Sequence, residues 1–206
     1  MIEARKERSV RSLTGLIIML LIYAALALTA FSFYPKGFSP LNNTLAQLGD
    51  PKLNPSGAIF YNAGVLVVCS MTIFVAIMLL VLPKQWVSSR GAHPRLVLFY
   101  LTVSFMLLFS FFYVLTALFP SGADGGLNSL FTLIFLVSLE LFIVSSAAGI
   151  RRLKDHVHWI PTFGFAAAAI IFLLVLTSAV TGVTIFSWII GVTSWSYTLA
   201  FLYEFS

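Results

Sequence analysis

Six apolar stretches divide this chain, and each is long enough to cross a lipid bilayer as a helix. A hydrocarbon core of roughly 30 Å needs about 20 apolar residues in helical conformation. Hydrophobic residues make up 60% of the chain and charged residues only 9%, against about 25% charged in soluble domains. We therefore predict an all-α integral membrane protein, in which residues 1–206 form a single antiparallel bundle. The predicted spans are residues 12–34, 57–82, 95–118, 127–149, 160–182 and 184–203.

The distribution of Lys and Arg predicts how this bundle is oriented. If the chain crosses six times, ten of the twelve lie on one side, and only Lys36 and Lys52 lie on the other. Cytoplasmic loops are enriched in Lys and Arg, so we expect both termini in the cytoplasm of a cell-membrane protein. The first span exceeds the 7–15 apolar residues usual for a signal peptide, which favours an uncleaved anchor. The ten residues are Arg5, Lys6, Arg8, Arg11, Lys84, Arg90, Arg95, Arg151, Arg152 and Lys154.

The connection between the first two spans, Pro35 to Ser56, carries the signals of a short helix. Ser39-Pro40 is typical of an N-cap followed by proline in the first turn, and Gly49 is typical of a helix end. Three leucines between them share one helical face, and they are Leu41, Leu45 and Leu48. We therefore predict an amphipathic helix on the extracytoplasmic side, between the first two spans.

The same segment carries a recognisable motif. Ser39–Gly49 reads SPLNNTLAQLG and Phe60–Gly64 reads FYNAG. With the six-span layout, this pattern resembles a family of small prokaryotic membrane proteins, domain of unknown function family 998. That family tends to place Gly-x-Phe-Pro and then a His after the third span, whereas here Ala117–Pro120 keeps only Phe-Pro and Asn128 replaces the His. The resemblance implies a six-span fold and no established reaction.

Glu140 is the only charged-type residue in the interior of a predicted span. An ionised acid at mid-bilayer costs roughly 2.5–3.5 kcal/mol on insertion scales, so such residues usually face the bundle and often have a function. Desolvation favours the neutral acid here. Glu140 is then a proton-accepting or ligand-binding group, or a structural acid that bonds neighbouring helices, or the partner of a basic residue on another subunit. The hydroxyl-bearing residues at similar depth are Tyr23, Ser70, Thr72, Ser110, Ser194 and Tyr197.

Polar residues at the predicted outer mouth of the bundle form a second candidate site. Their amides and carboxylates suit hydrogen bonding to a lipid head group or another polar ligand. The alternative is that Asn62 and Asn128 only tie the connecting segments to the bundle. The candidates are Asn43, Gln47, Asp50, Asn62, Asp124 and Asn128.

Motifs for familiar chemistry are missing from the sequence. There is no zinc-ligand spacing, phosphate-binding loop or nucleophile elbow, and the three histidines fall in predicted cytoplasmic loops. We predict no metal, no cofactor and no nucleic-acid partner. The leading hypothesis is a non-catalytic protein that associates with membrane lipids or with other membrane protein subunits, for example as an accessory subunit. The alternative is a membrane-embedded enzyme or carrier for a lipid-like substrate, which a cavity joining Glu140 to Asn62 or Asn128 would favour.

Overall fold

The computed structural model describes residues 2–35, 37–81, 93–120, 126–152 and 157–205. Within these ranges the chain forms six long α-helices and no strand, which confirms the all-α prediction. Helices α2 to α6 are each long and apolar enough to cross a membrane, whereas the apolar part of α1, Ile17–Ser32, is shorter. The helices are α1 (Ile2–Ser32), α2 (Ala58–Val81), α3 (His93–Leu118), α4 (Leu127–Ile150), α5 (Trp159–Thr181) and α6 (Ile185–Phe205).

The helices form a ring in chain order. Each packs against its neighbour in sequence, and α6 returns to contact α1. At one end of the ring, which we call the capped end, the Thr184 hydroxyl donates to the Pro40 carbonyl at 3.1 Å, so the α1–α2 and α5–α6 connections meet. At the opposite end, the Val157 amide donates to Glu204 Oε2 at 3.2 Å. Successive helices are therefore antiparallel.

The α1–α2 connection contains a helix that is shorter than predicted and of a different type. A 3-10 helix spans Leu45–Gly49 and follows Thr44 rather than Ser39. The segment before it turns back on itself, because the Ser39 amide donates to Asn43 Oδ1 at 3.1 Å. Asparagine side chains compete with helix formation through such local hydrogen bonds. Leu41 consequently remains exposed and does not share a buried face with the later leucines.

Helices α4, α5 and α6 pack tightly in the half of the ring away from the capped end. Gly164 of α5 makes this possible, since a Cβ there would lie 2.6 Å from Tyr197 Cε2 and 2.8 Å from Ala147 Cβ. Phe142 and Tyr197 are fully buried in the same layer. Aromatic and small side chains of the three helices therefore pack closely around Gly164 and fill this half of the ring.

Toward the capped end, α4 and α5 lose this close packing. The buried residues of α4 begin only at Ser138, and those of α5 end at Ile171. Because α4 starts at the capped end and α5 finishes there, both unburied halves face the same region. The parts of α4 and α5 that lie beside the cavity are therefore the less buried halves of these helices.

Candidate functional site

A cavity of about 400 Å³ lies inside the ring at the capped end. The 3-10 helix and all helices from α2 to α6 contribute to its wall. Its volume falls within the roughly 300–1,000 Å³ typical of small-molecule sites. On α4 one continuous helical face, from Asn128 to Leu139, points into the cavity, and on α5 the wall is made by Val175, Ser178 and Ala179.

The cavity wall is mainly apolar, with hydroxyl and amide groups placed at intervals. Several of the hydroxyls donate within their own helix, as Ser194 Oγ does to the Ile190 carbonyl at 2.7 Å and Thr198 Oγ1 to the Ser194 carbonyl at 2.9 Å. No Asp, Glu, Lys, Arg or His side chain from the described part of the chain lines the wall. Burying an unpaired charge in such surroundings is costly, so the cavity favours an uncharged ligand.

Five aromatic side chains, one from each helix except α5, follow one another around the ring. The ring centroids of Trp195 and Tyr23 are 6.2 Å apart and those of Tyr23 and Tyr61 are 6.3 Å apart. The Tyr61 and Tyr113 hydroxyls are 3.3 Å apart, and Tyr113 stacks on Phe135 with a centroid distance of 4.7 Å. We call these five side chains the aromatic belt; all but Tyr23 line the cavity.

The three tyrosine hydroxyls of the belt are under-bonded. Tyr61 and Tyr113 share one hydrogen bond, and the buried Tyr23 hydroxyl has no hydrogen-bond partner within the described residues. Three donors thus share a single bond in a region where buried polar groups are normally paired. Sequence reasoning considered Tyr23 only as a partner for Glu140 and did not single out Tyr61 or Tyr113.

Glu140 lies outside the cavity wall, although its neighbour Leu139 belongs to it. Its Oε2 atom is buried without a hydrogen-bond partner in the described part of the chain. The hydroxyls of Thr72 and Ser110 instead donate to carbonyls of their own helices, at 2.9 Å and 2.8 Å. This cavity therefore does not join Glu140 to Asn62 or Asn128, and the enzyme or carrier hypothesis loses that argument.

Asn62 and Asn128 do line the cavity, and both also tie connecting segments to the bundle. Asn62 Nδ2 donates to the Gly49 carbonyl at 3.0 Å. Asn128 Nδ2 donates to the carbonyls of Thr116 and Phe119, at 3.1 Å and 2.6 Å. These contacts are consistent with the alternative that Asn62 and Asn128 tie the connecting segments to the bundle. Because both also line the cavity, they can in addition contact a ligand.

The three predicted mouth residues of the α1–α2 connection do not line the cavity. Asn43 Nδ2 donates to Gln47 Oε1 at 3.0 Å, and Gln47 Oε1 also accepts from the Thr44 amide at 3.1 Å. Asp50 is buried and accepts from the Lys52 amide at 2.9 Å. Asp124 lies outside the described residues. These contacts organise the α1–α2 connection, so the structure does not bring all six candidates together.

Asn54 holds the capped end together and was missed by sequence reasoning, which assigned Asn54-Pro55 only to a turn. Its side chain is fully buried. Nδ2 donates to the carbonyls of Ala30 and Leu48 at 2.9 Å and 3.0 Å, and Oδ1 accepts from the Gly57 amide at 3.1 Å. The three-residue spacing from Asn54 to Gly57, typical of side-chain capping, is the signal that could have identified it.

No protein-family model, curated protein or solved structure matches this chain. The resemblance to domain of unknown function family 998 stays a prediction that rests on the motif residues. Several of those residues have a structural role, since the Thr44 amide donates to Gln47 within the α1–α2 connection and Asn62 holds the Gly49 carbonyl of that connection against α2. The cavity is therefore the feature of the molecule that indicates a function.

Proposed function

We propose that this is a multi-pass cell-membrane protein with six spans and both termini in the cytoplasm. The antiparallel ring supports an even number of crossings, with α1 as the additional span. Large apolar side chains are exposed on the outside of the ring, including Leu21, Ile59 and Val192 at 63–70%, and such surfaces suit contact with lipid tails. The exposed Arg151 and Arg152 at the opposite end from Lys52 agree with the enrichment of basic residues on the cytoplasmic side.

We propose further that the protein binds one lipid-like molecule in its cavity and is not an enzyme. The observation that carries this proposal is the uncharged, mainly apolar wall of a cavity of about 400 Å³. The less buried halves of α4 and α5 at the capped end are where a lipid could enter laterally from the membrane. A lipid tail entering from the bilayer passes from one apolar medium to another, so the apolar wall accepts it without a desolvation cost and packing contacts with the wall supply the attraction.

A bulky substitution inside the cavity tests lipid binding. At Gly191 an added Cβ would meet only Leu45 Cδ2, at 4.0 Å, so the Gly191→Phe side chain can occupy the cavity without displacing a helix. The matched control is Val192→Phe, at the next position of α6 and 67% exposed. Native mass spectrometry after purification in mild detergent should show one retained lipid for the wild type and the control and none for Gly191→Phe. Equal retention by both variants, or no lipid on the wild type, would contradict the proposal.

Association with another membrane subunit is a second candidate function, and Glu140 supports it. Its unpartnered Oε2 atom lies on α4 beside Val137 and Val144, which are 51% and 40% exposed. These two residues are three positions before and four positions after Glu140, so the three share one helical face. A partner helix on this face would cover the two valines, and because Oε2 is buried it could donate a hydrogen bond only to the other carboxyl oxygen, Oε1.

A further inference from the structure

We propose that the tyrosine hydroxyls of the aromatic belt bind the carbonyl oxygen of an uncharged lipid whose apolar chain fills the rest of the cavity. This inference rests on the proposed lipid binding and adds the chemical class of the ligand. The carbonyl can belong to an ester or to a quinone ring, which present the same acceptor to the protein.

The tyrosine hydroxyls of the aromatic belt form fewer hydrogen bonds than they could. Tyr61, Tyr113 and Tyr23 carry three hydroxyl protons and share one hydrogen bond of 3.3 Å. Whichever of Tyr61 and Tyr113 donates in that bond, the proton of the other has the neighbouring Tyr23 hydroxyl as its nearest candidate acceptor, and that oxygen forms no close hydrogen bond in the described part of the chain. Tyr61 and Tyr113 both line the cavity, so a ligand oxygen placed beside them would accept a hydrogen bond. A carbonyl oxygen suits this place because it accepts with two lone pairs and brings no further donor.

The residues that line the cavity also disfavour a charged ligand. A phosphate or carboxylate head group in this cavity would face no Lys or Arg side chain among the described lining residues. An ion without a countercharge is strongly disfavoured in a medium of low dielectric. Neutral tyrosine hydroxyls, by contrast, stabilise a carbonyl dipole without the cost of burying an ion.

The flat aromatic wall of the cavity and its approach beside α5 also suit such a ligand. Tyr113 and Phe135 present a stacked aromatic wall, and Trp195 stands elsewhere in the same belt. A planar ester or quinone group can pack against such flat aromatic surfaces. The belt is interrupted only at α5, where Ser178 and Ala179 line the cavity. A lipid entering between α4 and α5 would therefore pass small side chains and meet the tyrosine hydroxyls on the far wall.

The test removes the hydroxyls and leaves the rings in place. The double variant Tyr61→Phe/Tyr113→Phe is compared with Tyr100→Phe, whose side chain lies on α3 and is 48% exposed. Binding is measured by native mass spectrometry with four probes. Methyl oleate carries an ester carbonyl and no donor, decyl-1,4-benzoquinone carries ring carbonyls, 1-octadecene carries no oxygen, and oleate carries a charge.

We expect the double variant to bind at least one carbonyl probe about tenfold more weakly than the wild type, as the loss of hydrogen bonds to the ligand predicts. The stronger of the two carbonyl probes identifies the source as ester or quinone. Binding of 1-octadecene should be unchanged in the double variant, and Tyr100→Phe should match the wild type with every probe.

The outcomes separate this inference from the proposed function. If Gly191→Phe blocks every probe but the double variant binds the carbonyl probes normally, the cavity binds lipid and the hydroxyls contact only water, which overturns the inference alone. Tighter binding of oleate than of the carbonyl probes would also overturn it. If the wild type binds none of the probes, the proposed function and the inference both fail.

Discussion

Replacement of Asn54 by alanine should destabilise the protein more than any other single change in the α1–α2 connection. The substitution removes three buried hydrogen bonds, to the carbonyls of Ala30 and Leu48 and from the amide of Gly57. Each typically contributes about 1 kcal/mol net, so we expect a loss of about 3 kcal/mol in the free energy of unfolding. The Ala30 carbonyl lies in the last turn of α1, where backbone acceptors have no partner within the helix. Without Asn54, the Ala30 carbonyl would lose its hydrogen-bond donor at the junction of α1 and α2.

Cys69 supplies the assay for this prediction. It is the only cysteine in the chain and it is buried, so a thiol-reactive dye reports unfolding during a titration with denaturing detergent. The control is Asn42→Ala in the same connection, where the side chain is exposed and a change within about 0.5 kcal/mol is expected. Equal stability of Asn54→Ala and Asn42→Ala would refute the reasoning.

Three further predictions concern packing, the intramembrane acid and orientation. Gly164→Ala should cost about 1–3 kcal/mol by overpacking against Tyr197, measured with the same dye, whereas Gly191→Ala should cost almost nothing; equal stability of the two variants would contradict this. Glu140→Gln should keep the lipid in native mass spectra, because Glu140 lies outside the cavity wall, and loss of that lipid would show that the acid acts on the site. In intact cells a membrane-impermeant maleimide should label Lys52→Cys, and should label Arg152→Cys only after permeabilisation; the reverse pattern would invert the proposed orientation.

The helical class could be predicted from the sequence because it depends on a strong local signal. An uninterrupted apolar stretch of about 20 residues has few alternatives to a helix in lipid, and the structure places helices close to each predicted stretch. The connection between α1 and α2 was harder to predict, because leucine spacing indicated an α-helix from Ser39. The local hydrogen bond from the Ser39 amide to Asn43 prevails over that spacing.

The cavity could not be predicted, because its wall depends on how each helix is rotated about its axis. A helix that is apolar on all sides carries little information about which face points inward. Tyr23, Tyr61 and Tyr113 come from three different helices, and no sequence spacing connects them. Asn62 and Asn128 were found because they are polar residues near predicted span ends, where an amide stands out against an apolar background.

The packing of the ring argues for binding rather than for transport. The cavity lies at the capped end, while Phe142 and Tyr197 are fully buried in the half beyond it. Tyr197 is held there by a hydrogen bond of 2.7 Å to Ser146 Oγ and by the close approach of Gly164. A carrier would have to open this layer to release its substrate on the opposite side, which means separating α4, α5 and α6 where they pack most tightly. Binding as proposed, with entry and exit beside the less buried halves of α4 and α5, would leave this tightly packed layer closed.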